Sequence, residues 1–190
     1  MSLKQQRQWS TAAHLRASHC SALEMAWLQY SGSLTDALEK LTHHQAQWIL
    51  SQESYNIPRQ DEGRALKLPP RSIAYIREGG WSNQGILWIA TRAVIPLTTL
   101  NEPGSPLKNL GTIPMGKILF TLPQMKRHPF EFQAITAQHP DYSHHSAHLS
   151  LEAKETRLWA RRSLFSLDKA LLLVSETFLP AFFAQASSLP

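Results

Sequence analysis

The chain has 190 residues, and apolar types make up 43% of them. That is the size of one domain with enough apolar material for a core, which excludes disorder of the chain as a whole. Lys and Arg number 19 against 14 Asp and Glu, a net charge of +5. The positive residues are scattered singly, with no dense basic run and no nucleic-acid-binding motif, so an anionic small molecule is a better match than nucleic acid. No apolar run approaches the ~18 residues of a membrane span. The first twenty residues lack the apolar stretch of a secretory signal, so a cytoplasmic location without stable membrane insertion is expected. The single cysteine, Cys20, excludes an internal disulfide and a multi-cysteine metal knot.

Residues 21–30 (SALEMAWLQY) predict a short helix, with Leu23, Ala26 and Trp27 on one apolar face. Ser31 and Gly32 break it. A second helix follows, with Ser33 as N-cap and Leu34, Ala37, Leu38 and Leu41 as its stripe. Asp36 in its first turn and His43 and His44 near its end both suit the helix dipole. Trp48, Ile49 and Leu50 suggest a strand, and residues 51–70, polar and punctuated by Pro and Gly, read as loop. Residues 72–81 and 86–96 predict a hairpin around a Gly-containing turn at 82–85. Residues 97–109 read as connecting loop, and 110–120 as a turn with a short helical piece. Residues 130–137 alternate as a strand. The polar segment after them holds four histidines and reads as a surface insertion at about 139–157. Finally, 158–167 and 169–183 are strand-like runs joined at Asp168 and Lys169. Helices first and hairpin-linked strands after indicate an α+β domain spanning 1–190, built on an antiparallel sheet.

Four segments carry a more specific signal. SGSLTDALEKL opens with a Ser, an apolar residue and a Thr. YIREGGWSNQGILWIATRAVIPLTTL has an Arg on its first strand and Arg-x-Val-x-Pro on its second. LKNLGTIPMGKILF has a Leu-Gly...Pro-apolar-Gly loop. LWARRSLFSLDKALLLVSETFLP has Trp-x-Arg-Arg-Ser and then Glu-x-Phe-Leu-Pro. In content, order and spacing these resemble the chorismate pyruvate-lyase family, over roughly half of the chain. The resemblance implies an antiparallel sheet with helices packed on one side and the ligand enclosed under loops. It implies chorismate as substrate, 4-hydroxybenzoate and pyruvate as products, no metal or organic cofactor, and a monomer. In bacteria this reaction supplies the aromatic ring of ubiquinone. Its site residues fall on Arg77, Arg92 and Glu176, with backbone contacts at Leu34 and Met115. Two departures stand out: the long His-rich insertion, and Thr91 where glycine can occur.

The chemistry suits these residues. Arg77 can take the ring carboxylate in two parallel hydrogen bonds and stays charged when buried. Because strand neighbours face opposite ways, Arg77 and Glu78 cannot share a face. Glu176 sits in an apolar strand with Val174 and Leu172 on its side. It is read as partner of the substrate hydroxyl and of the transferred proton, or as a structural partner of Arg161 or Arg162. Arg92 is read equally as a ligand of the enolpyruvyl carboxylate, as a gate, or as a structural arginine. Leu34 opens a helix, where backbone N–H groups lack intrahelical partners. His144, His145 and His148 have helix-face spacing, but without cysteines the reading stays at no metal. The competing function is a small-molecule sensor domain of the same fold, which binds without converting.

Overall fold

The computed structural model describes residues 9–17, 20–139, 142 and 157–186. Three helices come first: α1 (Ala12–Ala17), α2 (Ala22–Gln29) and α3 (Leu34–Leu41). A capping box starts α2. The Glu24 N–H donates to Ser21 Oγ at 3.2 Å, and the Ser21 N–H donates to Glu24 Oε2 at 2.7 Å. At α3 the Asp36 N–H donates to Ser33 Oγ at 3.2 Å.

The strands are β1 (Gln47–Asn56), β2 (Ala74–Asn83), β3 (Ile86–Pro96), β4 (Met125–Arg127), β5 (Glu131–Ile135), β6 (Leu158–Leu167) and β7 (Ala170–Phe178). They form one sheet in the order β1-β2-β3-β7-β6-β4, with β5 also on β6, and every pairing is antiparallel. Gln84 and Gly85, both at positive φ, close the β2–β3 hairpin. Asp168 takes φ 53° at the β6–β7 turn, a place that more often holds glycine.

Several expectations needed correction. The stretch 51–70 read as loop contains most of β1 and a helix α4 (Gln60–Ala65). β1 is an edge strand and mostly exposed, so it lacks the alternation of a half-buried strand. The stretch 97–109 contains α5 (Leu97–Asn101) and a 3-10 turn at Ser105–Leu107. The turn and short helical piece expected over 110–120 are both present, the helix being α6 (Met115–Leu119). The last strand ends at Phe178, and a helix over Pro180–Gln185 follows, with proline in its first turn. The His-rich insertion, including His144, His145 and His148, lies outside the described residues but for His139, Tyr142 and Arg157.

Register sorts the sheet into two faces. Arg77, Ala93 and Val174 form one cross-strand row, and Thr91, Glu176 and Arg161 form the next on the same face. This face meets α2, α3, α6 and the Pro180–Gln185 helix. Phe182 packs edge-on against Trp27 and Trp88 at centroid distances of 4.9 and 5.7 Å. A second cluster joins Met115 and Leu119 of α6 to Ile95, Phe165 and Leu172. On the opposite face, Leu66 after α4 packs on Ala74, Ile76, Val94 and Leu173.

Candidate functional site

A cavity of about 60 Å³ lies between the first sheet face and the starts of α3 and α6. Arg77, Thr91, Ala93, Val174 and Glu176 form its floor. Leu34 and Thr35 from α3 and Pro114, Met115 and Gly116 at α6 close it from above. Trp48, Trp81, Phe120, Phe165 and Arg127 complete the walls. Gly116 belongs at the helix crossing, because a Cβ there would stand 2.8 Å from Thr35 Oγ1. Lys117 ties the two helices together through Glu39 at 2.6 Å.

Arg77 is 2% exposed. Its Nε donates to Glu53 Oε1 at 2.8 Å, its Nη1 to the Ile113 carbonyl at 2.8 Å, and its Nη2 to the Gly111 carbonyl. The Trp48 ring lies 4.4 Å from the guanidinium carbon. Burial lowers the Arg77 pKa from its usual value, and Glu53 partly offsets this. The three contacts use one N–H on each nitrogen and leave a further N–H on each terminal nitrogen. Glu176 Oε2 accepts from Arg161 Nε at 2.5 Å, and Oε1 accepts no hydrogen bond among the described residues. The structural pairing of Glu176 with Arg161 is therefore present together with its place on the cavity floor.

Arg77 and Glu176 stand two strands and two residues apart, which puts their Cα atoms about 12 Å from each other. Side chains stand nearly perpendicular to the sheet, so this span is kept above it. A para-substituted ring with one hydrogen-bonding group at each end bridges such a span. Leu34 and Met115 are the first residues of α3 and α6 and line the space above.

Arg92 borders the cavity, but its guanidinium does not enter it. It extends to the opposite face, where Nε and Nη2 donate to Glu62 at 2.7 and 3.0 Å and Nη1 to Glu78 at 2.6 Å. Burial pulls its pKa down, and the two carboxylates more than offset that, so the net shift is upward. Arg161 and Arg162 are both buried, since both sheet faces are covered. Arg161 caps the end of α2 by donating to the carbonyls of Trp27, Leu28 and Tyr30. Arg162 pairs with Glu131 and Asp61 on the other side.

That other side carries a larger cavity of about 370 Å³. Its charged lining is Arg59 and Arg92 against Asp61, Glu62 and Glu78, an excess of carboxylate that repels an anion. The smaller cavity is lined by Arg77, Arg92 and Arg127 against Glu176, with the Arg92 head turned to the other face and Arg77 also paired with Glu53. For an anionic ligand its charge outweighs the other's size. Sequence reasoning missed Glu53, Trp48 and Arg127. Glu53 and Trp48 lie on an edge strand read as ending at residue 50, and Arg127 lies on a three-residue strand too short for any periodicity.

A family model described as chorismate lyase matches residues 3–188. The chain is 38% identical to a probable chorismate pyruvate-lyase of Coxiella burnetii over 185 residues, covering 97% of this chain and 98% of that protein. A probable chorismate pyruvate-lyase of Marinobacter nauticus is 34% identical, covering 83% and 76%. Among solved structures, the effector domain of PhnF from Mycobacterium smegmatis superposes with a TM-score of 0.52 at 10% identity, over 74% of this chain and 88% of that one. A GntR-family transcriptional regulator from Bacillus cereus gives 0.52 at 12% identity, over 72% and 93%. These last two likenesses concern the fold alone.

Proposed function

The chain belongs to the chorismate lyase family, and we propose that it converts chorismate to 4-hydroxybenzoate and pyruvate in the cavity under α3 and α6. The observation that carries this reading is Arg77 and Glu176 rising from one sheet face into one enclosed space.

In the reaction the ring carbon bearing the hydroxyl loses its hydrogen as a proton. The neighbouring carbon–oxygen bond to the enolpyruvyl group breaks, and the ring becomes aromatic. The released enolpyruvate takes up a proton to give pyruvate. Aromatisation supplies the drive, so the protein's task is to hold the dianion and stabilise charge where it develops. Arg77 takes the ring carboxylate with its remaining terminal N–H groups. Glu176, held by Arg161, accepts the hydrogen bond of the ring hydroxyl through Oε1 and receives the departing proton. The N–H groups of Leu34 and Met115, at helix starts, supply further donors. Arg92 acts from behind the sheet as a brace, not as a ligand. No step needs a metal or organic cofactor. We place the protein in the cytoplasm as a monomer that makes the ring precursor of ubiquinone. The family match supports the reaction, and among the described residues no helix is long and apolar enough to cross a membrane.

The test mixes purified protein with chorismate without added metal and follows 4-hydroxybenzoate by absorbance and pyruvate by a coupled assay. Equal amounts of both are expected. Arg77→Ala and Glu176→Gln should each lose roughly 10- to 100-fold in kcat/KM, the worth of a hydrogen bond to a charged group. No turnover, with 4-hydroxybenzoate still raising the melting temperature, would make the protein a binder of the kind the regulator-like fold allows.

A further inference from the structure

Chorismate carries two carboxylates, and Arg77 accounts for only one. The second belongs to the enolpyruvyl group that leaves. Burying it without a cation is costly. Arg92 is held on the far face by Glu62 and Glu78. Arg161 is 1% exposed and spent on Glu176 and on the carbonyls of Trp27, Leu28 and Tyr30. Lys117 is on Glu39. Among the described residues, one cation remains on the cavity wall. Resting on the lyase reading above, we propose that Arg127 binds the enolpyruvyl carboxylate of chorismate, and so distinguishes substrate from product.

Three observations support the assignment. Arg127 lines the cavity, and its Nε is buried without a hydrogen-bond partner among the described residues. Its Nη1 donates to the carbonyls of Ser31 and Gly32 at 2.9 and 3.4 Å, and its Nη2 to the Gly32 carbonyl at 3.3 Å, so the head is fixed by the backbone just before α3. Rings of Phe120, Phe130 and Phe165 surround it at 4.7–5.2 Å, which removes water and strengthens its pull on an anion. Its place is also right. Arg127 is close enough to Glu176 to feel its charge, whereas Arg77 stands two strands away from Glu176. The ether carbon of chorismate is next to the carbon bearing the hydroxyl. A ligand with its ring carboxylate on Arg77 and its hydroxyl on Glu176 therefore carries its enolpyruvyl group toward Arg127. There the cation also stabilises charge growing on the departing enolpyruvate.

The experiment compares substrate with product. 4-Hydroxybenzoate lacks the enolpyruvyl carboxylate, so Arg127→Gln should lower kcat/KM for chorismate roughly 10- to 100-fold, while the inhibition constant of 4-hydroxybenzoate moves less than about threefold. Arg127→Lys, which keeps a charge, should recover part of the loss. Unchanged product binding also certifies that Arg127→Gln is folded. If product binding and kcat/KM fall by the same factor in both variants, Arg127 only holds the Ser31–Gly32 corner and the proposal is wrong. It is equally wrong if neither quantity moves. If the unsubstituted protein makes no 4-hydroxybenzoate, the lyase reading fails and this assignment falls with it. Turnover by the unsubstituted protein with an indifferent variant removes the assignment alone.

Discussion

Replacing Arg161 with methionine removes a guanidinium that is 1% exposed and joins three parts of the molecule. Its Nε holds Glu176 at 2.5 Å, its Nη1 holds the carbonyls of Trp27, Leu28 and Tyr30 at 3.0, 3.2 and 2.9 Å, and its head lies 4.5 Å from the Phe130 ring centre. Methionine fills most of the volume but leaves the carboxylate without its cation. Breaking a buried pair from one side costs about 3–5 kcal/mol. Glu176 keeps some exposure, with 16% of its side chain accessible, so the lower end of that range is expected. In a chain of this length each kcal/mol moves the melting temperature by roughly 2–4 °C. The expected fall is therefore roughly 6–12 °C, read by circular dichroism at pH 7. Glu176→Gln together with Arg161→Met should be less destabilised than the sum of the single variants by more than about 1 kcal/mol, because the second change removes the stranded charge. Additivity within about 0.5 kcal/mol would refute the pair as a source of stability. It would leave Arg161 as a cap on α2 only.

Three further outcomes follow from the same contacts. Arg92→Met should cost about 3 kcal/mol or more in urea unfolding, because Glu62 and Glu78 lose their shared cation, yet leave KM for chorismate within about twofold; a large rise in KM would return Arg92 to the site. Burial pushes the Cys20 thiol from its ordinary 9.0 up to about 12, so folding keeps a proton that the unfolded chain releases above about pH 9. Stability should thus fall as pH rises past 9, and the fall should be smaller in Cys20→Ala; identical pH profiles would count against this. Gly79→Ala puts a methyl into the Trp48 ring and 2.5 Å from the Ile49 carbonyl. It should cost about 1–3 kcal/mol and weaken 4-hydroxybenzoate binding, since Trp48 covers Arg77; calorimetric titration reads the second effect.

Much of the fold was legible because amphipathic spacing and capping residues act locally. The apolar face of Leu23, Ala26 and Trp27 announced α2, Ser33 announced α3, and Gly85 announced the β2–β3 turn. What stayed hidden depends on tertiary context. β1 is an exposed edge strand, so no face of it had to be apolar. α4 is too short and polar to show a stripe, and its role is electrostatic: Glu62 and Asp61 reach Arg92 and Arg162 across the sheet. Glu176 was legible as a charged residue inside an apolar strand, a pattern that calls for a partner or a ligand, and Arg77 chiefly through the resemblance to the family. Glu53, which holds Arg77, was not, because a glutamate on a polar strand attracts no notice.

Arg92, which the sequence left open between a ligand, a gate and a structural arginine, is turned to the far face by the register of the hairpin. A two-residue turn at Gln84 and Gly85 pairs Asn83 with Ile86 and Ser82 with Leu87. Carried down the hairpin without interruption, that register sets Arg77 opposite Arg92, two cations on one face. The observed register breaks between Trp81 and Ser82, and Trp81 pairs with Ile89, so that Trp88 is the extra residue of a bulge. Beyond it every β3 residue is displaced by one against β2. Arg77 faces Ala93, and Arg92 faces Glu78 on the opposite side, its charge answered. A one-residue slip exchanges the faces of a strand, and here it removes a like-charge contact and adds an ion pair at once. The bulge is fixed by its own side chain, since Trp88 is 2% exposed and packs on Phe182. The separation of a ligand-facing arginine from a bracing one thus rests on where a single tryptophan is buried. No alternation pattern within β2 or β3 alone records that.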